Sequence, residues 1–221
     1  MPEVSEGPSS LQRVSFSIGE TEVEGILHLP EAGNAGRAAV LHGFGGDPHQ
    51  PHVVAVCEAL AMVGIGALRS AFRDHRPPRM TLDSALADAQ GALRLLRAHP
   101  ALRGPSALVG FSFGGAVAAL AAGRDRAVKA VVLAAAPARF SRGADDAKRD
   151  PVAELSRSRA KVLLVWGTSD TEVPFDHAER YRAAVARAEV VRIDGGDHDF
   201  APAAPRAEMA RIVADWLAGA L

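Results

Sequence analysis

Ser112 stands in Gly110-Phe111-Ser112-Phe113-Gly114, a G-x-S-x-G pattern. A serine hydroxyl is a poor nucleophile at neutral pH. It attacks a carbonyl carbon when a neighbouring base takes its proton, and that base needs an acid to orient it. Downstream, the run WGTSDTEVP supplies Asp170, and GGDHDF supplies His198. Serine, aspartate and histidine therefore follow in one of the chain orders known to assemble a nucleophilic triad. The chemistry such a set performs is acyl transfer: attack on a carbonyl, an acyl-enzyme, then hydrolysis. Asp197 and Asp199 flank His198, but consecutive side chains diverge, so both read as loop residues. Glu172 and Asp74 are weaker alternatives for the acid. His177 falls at a helix start, where a surface role is expected, and His28, His75 and His99 have no supporting context.

Negative charge that develops on a substrate oxygen needs fixed donors. The run His42-Gly43-Phe44-Gly45-Gly46-Asp47 follows an apolar segment and is glycine-rich enough to turn a backbone N–H inward. Phe44 is the expected donor there, with Gly45 as the alternative, and the Phe113 amide is the second donor. His42 is expected to bond backbone and hold its loop. Asp47, His49 and His52 match no closed zinc spacing and read as polar residues of the pocket rim. A phosphate-binding loop is excluded, since neither G-K-[ST] nor G-x-G-x-x-G is present. Phe44, Phe111, Phe113 and Gly45 are the expected lining of the substrate pocket. Arg73, Arg76 and Arg79 could meet an anionic group, although a solvated loop is the preferred reading.

These residues need elements to position them. Residues 11–30 hold two alternating runs around Gly19-Glu20, a β-hairpin signal. Short apolar runs then recur at 38–41, 64–72, 106–110, 128–137 and 160–167, with AEVVRID last, and they alternate with helical segments. Among the helices are 51–64, about 82–96, HAERYRAAVARA and the closing 204–221. Apolar strands without alternation, separated by helices, imply a mostly parallel sheet covered on both faces. Ser112, Asp170 and His198 each fall just past the end of such a strand. That is the edge where open α/β sheets bind ligands. The polar stretch from about 141 to 158 is too short for a cap domain.

Composition narrows the function classes. The chain has 221 residues, 48% hydrophobic, with 25 basic and 26 acidic side chains and a net charge of -1. That balance carries no electrostatic footprint for nucleic acid or an anionic membrane. The single cysteine, Cys57, allows no intrachain disulfide and lies in an apolar helix as a small hydrophobe. No secretory leader and no apolar stretch of membrane-spanning length are read, so a cytoplasmic protein with no membrane span is expected. Residues 1–10 read as a flexible tail and 11–221 as a single domain.

At HGFGGD, GFSFGG, WGTSDTEVP and GGDHDF, the chain resembles the α/β-hydrolase superfamily, in particular small cap-free bacterial serine hydrolases related to dienelactone hydrolase and carboxylesterases. The resemblance runs from about residue 12 to the C-terminus. It implies Ser112 as nucleophile, Asp170 as acid, His198 as base, and the Phe44 and Phe113 amides as oxyanion donors. No cofactor and no metal are implied, and the partner is a small ester-type substrate. Dienelactone hydrolases proper carry cysteine at the elbow, where this chain carries serine. The same chemistry serves thioesters, lactones, amides and peptides, and a non-catalytic binding protein of this fold is the competing class.

Overall fold

The first two strands establish the sheet's edge. β1 (Ser9–Ile18) and β2 (Thr21–Pro30) are antiparallel, with Ile18 opposite Thr21 across the turn at Gly19, whose φ of 60° suits a residue without a side chain. A computed structural model describes residues 9–73, 80–140, 149–185 and 187–221. Ser9 and Ser10, read above as part of a tail, pair with Pro30 and Leu29 in this hairpin.

The remaining elements are β3 (Gly36–Leu41), α1 (Pro51–Met62), β4 (Ile65–Ser70), α2 (Leu82–Ala98), β5 (Ser106–Phe111), α3 (Phe113–Arg124), β6 (Val128–Ala134), α4 (Pro151–Ser156), β7 (Lys161–Gly167), α5 (Asp176–Ala184), β8 (Glu189–Ile193) and α6 (Ala203–Ala220). The eight strands form one sheet in the order β1-β2-β4-β3-β5-β6-β7-β8. β2 runs against both of its neighbours, and every pairing from β4 through β8 is parallel. The fold is an α/β-hydrolase architecture with an antiparallel start, and among the described residues no large cap is inserted. No described helix is long and apolar enough to cross a membrane.

Strand geometry explains why the central runs read as uninterrupted apolar sequence. Successive side chains point to opposite faces, and here both faces are covered. In β7, Val162, Leu164 and Trp166 join the layer containing α2, α3 and Tyr181 of α5. Leu163 and Val165 join the opposite layer with α1 and α6. β4 and β5 are buried along their whole length.

Two local readings change. The polar stretch beyond residue 149 contains α4, which Asp150 caps by accepting from the Ala153 N–H at 2.9 Å; a Pro151 start and an Asp cap are helix signals hidden by the segment's polarity. Residues 141–148 lie outside the described residues, as do Asp74, His75, Arg76 and Arg79. Arg73 is not a solvated loop residue. Its guanidinium meets the buried Asp88 carboxylate at 3.1 Å, and its N–H donates to the same group at 3.0 Å, tying the end of β4's loop to α2.

Candidate active site

The turn between β5 and α3 lifts Ser112 out of the sheet. Its backbone sits at φ 48° and ψ -119°, a region that side chains rarely occupy. Two glycines make the turn possible. A Cβ on Gly110 would lie 2.6 Å from the Gly115 Cα, and one on Gly114 would lie 2.5 Å from the Leu41 carbonyl oxygen. The Ser112 N–H donates to the Ala134 carbonyl at 2.8 Å, pinning the turn to β6. The side chain is left half-buried at the sheet's carboxyl edge.

Asp170 follows β7. Its Oδ1 accepts from the Glu172 and Val173 N–H groups at 2.9 and 3.0 Å, and the buried Trp166 indole donates to the Val173 carbonyl at 2.9 Å. The loop thereby holds the carboxylate rigid, with Oδ2 turned to His198. His198 follows β8. Its Nδ1 lies 3.0 Å from Asp170 Oδ2, and its Nε2 lies 3.0 Å from Ser112 Oγ. The structure thus brings the three residues into one hydrogen-bonded line. Asp197 does not reach the ring from its neighbouring position: its carboxylate accepts from the Ala201 N–H at 2.7 Å and caps the loop. Glu172 is exposed, with Oε2 3.9 Å from His198 Nε2.

Burial of His198 disfavours its charged form, but the hydrogen bond and charge of Asp170, with Glu172 and Asp199 adding to them, outweigh that and raise its pKa. Burial acts on Asp170 in the direction of a raised pKa. The bonds from His198, Val173 and Glu172 outweigh it and keep the carboxyl below its usual range. The pair is therefore built to favour imidazolium beside carboxylate.

Thr168 belongs to the site's support and was not singled out in the sequence. Its hydroxyl accepts from the Gly195 N–H at 2.9 Å and donates to Asp194 at 3.2 Å, while Ser169 N–H donates to the Gly196 carbonyl at 2.8 Å. These bonds join the Asp170 and His198 loops. The only sequence signal was a threonine two residues before the acid.

The glycine loop after β3 lies against the elbow, since a Cβ on Gly43 would contact the Ser112 Cβ at 3.5 Å. Phe44 exposes 55% of its surface and meets the Phe113 ring edge-on at 5.6 Å. Gly45 takes φ 69° with open space around it. Phe113 begins α3, where helix geometry leaves an N–H without an intrahelical acceptor. His42 is fully buried, with Nδ1 2.8 Å from the Gly43 carbonyl and Nε2 accepting from the Phe72 N–H at 3.2 Å. It holds the loop.

The other expected pocket and rim residues divide. Phe111 is not at an open wall: it is 3% exposed and packs on the His52 ring, in the layer opposite Phe113. The alternation of β5 puts it there. Asp47 accepts from the His49 N–H at 2.6 Å, His49 meets Arg69 at 3.3 Å, and His52 turns inward. His177 is half-buried rather than on the surface, and its Nδ1 accepts from the Ala138 N–H at 2.8 Å. Burial of Cys57 pushes its thiol pKa up, so it offers no thiolate.

A family described as "Alpha/beta hydrolase domain" matches residues 36–211. The chain belongs to this alpha/beta hydrolase family. Solved structures agree on the fold. Est1E from Butyrivibrio proteoclasticus, in a structure with ferulic acid bound, is 17% identical, with a TM-score of 0.83 over 94% of this chain and 98% of that one. Dienelactone hydrolase from Anabaena variabilis is 22% identical, with a TM-score of 0.79 over 97% and 100%. XC6422 from Xanthomonas campestris, described as a serine hydrolase without lid, is 21% identical, with a TM-score of 0.72 over 96% and 94%. No curated protein matches the chain.

Proposed function

We propose that this alpha/beta hydrolase is a serine esterase that cleaves small carboxylic esters through Ser112, His198 and Asp170. The observation that carries the reading is the continuous relay from Asp170 Oδ2 through His198 to Ser112 Oγ, with 3.0 Å at each link. In the proposed mechanism, His198 Nε2 takes the Ser112 proton as Oγ attacks the ester carbonyl. The Phe44 and Phe113 N–H groups stabilise the oxyanion. Asp170 orients the ring and stabilises the imidazolium without itself taking the proton. The tetrahedral intermediate collapses as imidazolium protonates the leaving alkoxide. Water, deprotonated by His198, then attacks the acyl-enzyme and releases the acid and free Ser112.

Phe44 supplies an exposed apolar surface beside the oxyanion loop, which suits the organic part of an ester. Neighbours that bind ferulic acid or are named for a lactone support small acyl substrates, with lactones as the second bond type. Ser112→Ala is expected to fold normally and to hydrolyse p-nitrophenyl acetate at the uncatalysed rate. Wild-type turnover in that variant would overturn the proposal. A panel of esters, lactones, thioesters and amides assayed with the wild type identifies the preferred bond.

A further inference from the structure

Arg69 on β4 is 6% exposed. It lies on the sheet face covered by α1, where Ala67, two residues back, joins an apolar layer. A guanidinium so deeply placed is costly unless its charge is matched. Among the described residues, no carboxylate forms an ion pair with it. Nε donates to His28 Nε2 at 2.9 Å, toward β2. Nη1 donates to the Pro48 carbonyl at 2.9 Å and to His49 Nδ1 at 3.3 Å. Arginine offers donors only, so both imidazole nitrogens accept and carry no proton. All three acceptors are therefore uncharged. A hydrophobic side chain would be less costly in this place, so the use of the guanidinium lies in what it grips.

Pro48 and His49 belong to the loop that joins β3 to α1 and carries Phe44. That loop stands out from the fold. Phe44, Gly45, Asp47 and His49 are exposed, and a Cβ on Gly45 would meet nothing within 4 Å. Packing does little to fix such a segment, so polar bonds must. At its start, His42 meets the Gly43 carbonyl and accepts from the Phe72 N–H. Within it, the Gly46 N–H donates to the Gly43 carbonyl at 3.2 Å, and Asp47 accepts from the His49 N–H. Arg69 supplies the hold at the far end. Because its Nε reaches His28, one guanidinium ties the loop to both β4 and β2.

We propose that Arg69 is a positioning residue: gripping the Pro48 carbonyl and the His49 ring, it fixes the glycine loop so that the Phe44 N–H faces the oxyanion formed at Ser112. The inference rests on the Ser112 reading above. A donor acts on developing charge only if it is in place beforehand, so a loop that wanders loses the effect. Loss of Arg69 should therefore weaken transition-state binding more than substrate binding. Arg69→Met keeps the apolar stem and removes every donor, whereas Arg69→Lys keeps one charged donor head. Both are compared with the wild type in p-nitrophenyl acetate hydrolysis and thermal unfolding. Inhibition by phenylboronic acid, which forms a tetrahedral adduct on an active serine, is measured as well, with Ser112→Ala alongside.

Arg69→Met is expected to lower kcat about 10- to 100-fold with KM within about twofold, less than outright removal of an oxyanion donor. Its inhibition constant for phenylboronic acid should rise by about the factor by which kcat/KM falls. Arg69→Lys should recover part of both. A merely structural role lowers the melting temperature and leaves kcat and the boronic acid constant of the folded enzyme unchanged. That result in Arg69→Met overturns the proposal. If Arg69→Met does not fold, nitrogen-15 NMR of the wild type decides. Slowly exchanging Arg69 side-chain N–H signals that shift when the boronic acid adduct forms support the proposal. Signals that exchange freely, or that do not shift, overturn it. Wild-type turnover in Ser112→Ala would instead remove the Ser112 reading.

Discussion

Several carboxylates lie near His198, and geometry assigns three of them different work. Asp170 meets Nδ1 at 3.0 Å with a side chain 1% exposed. Glu172 lies farther away and in solvent, and Asp197 bonds its own loop. Asp170→Asn should therefore lower kcat by about 10³- to 10⁴-fold, the scale of effect when a triad acid is neutralised. It should also move the acid limb of the residual activity to lower pH, since the hydrogen bond and charge that raise the His198 pKa are weakened. Asp197→Asn should keep turnover within about threefold, because an asparagine side-chain oxygen can still cap the Ala201 N–H. Equal losses in the two variants, measured by steady-state kinetics at pH 8, would count against this assignment.

The elbow is a property of paired elements rather than of one residue. β3 and β5 are adjacent parallel strands, with Leu41 opposite Gly110, and α3 leaves the second of them almost on top of the first strand's end. Gly114→Ala places a methyl group 2.5 Å from the Leu41 carbonyl oxygen, and the backbones cannot separate without moving α3 or the end of β3. Overpacking of this kind costs about 1–3 kcal/mol. In a chain of this length that is a fall of roughly 3–10 °C in melting temperature. The shift should be accompanied by loss of activity, because the Phe113 N–H moves with the turn. Calorimetry paired with an esterase assay checks both. The same logic explains Gly167, where a Cβ would sit 2.5 Å from the Gly196 carbonyl carbon and push the Asp170 and His198 loops apart.

Across the whole molecule, two buried histidines couple stability to pH. His28, on β2, accepts from the buried Arg69 Nε at 2.9 Å, and burial followed by the Arg69 charge lowers its pKa to about 4. His52 is lowered to about 4 as well, chiefly by burial. Both folded values lie below the ordinary 6.5 of histidine. Between pH 6.5 and 4 the unfolded chain then binds more protons, so stability falls as the pH drops through that window and levels off below it. Each histidine contributes a loss on the order of 3 kcal/mol. His198, whose pKa is raised, acts in the opposite sense. Urea unfolding at pH 7, 6, 5 and 4.5 should show a falling midpoint, and a midpoint constant from pH 7 to 5 would contradict the prediction.

Much of this was legible locally. Gly110 and the strand-turn-helix context announce a strained serine because a Cβ on Gly110 would collide with Gly114 and Gly115, near neighbours in the chain, whereas what forbids a side chain at Gly114 is the distant Leu41. The uninterrupted apolar runs announce a sheet covered on both faces because side-chain direction alternates along every strand. The order Ser112, Asp170, His198 follows from the same fold rule. What depended on tertiary structure were the contacts between segments far apart in sequence. His198 and Asp170 are 28 residues apart, and His198 and Ser112 are 86 apart. Their distances, the burial of Phe111, the Arg73–Asp88 pair and the Thr168 link exist only once parallel crossovers bring strand ends side by side. His52 shows the boundary most clearly. In GDPHQPH it reads as a rim residue, because nothing in its neighbourhood reveals that α1 turns it inward, against the Phe111 ring.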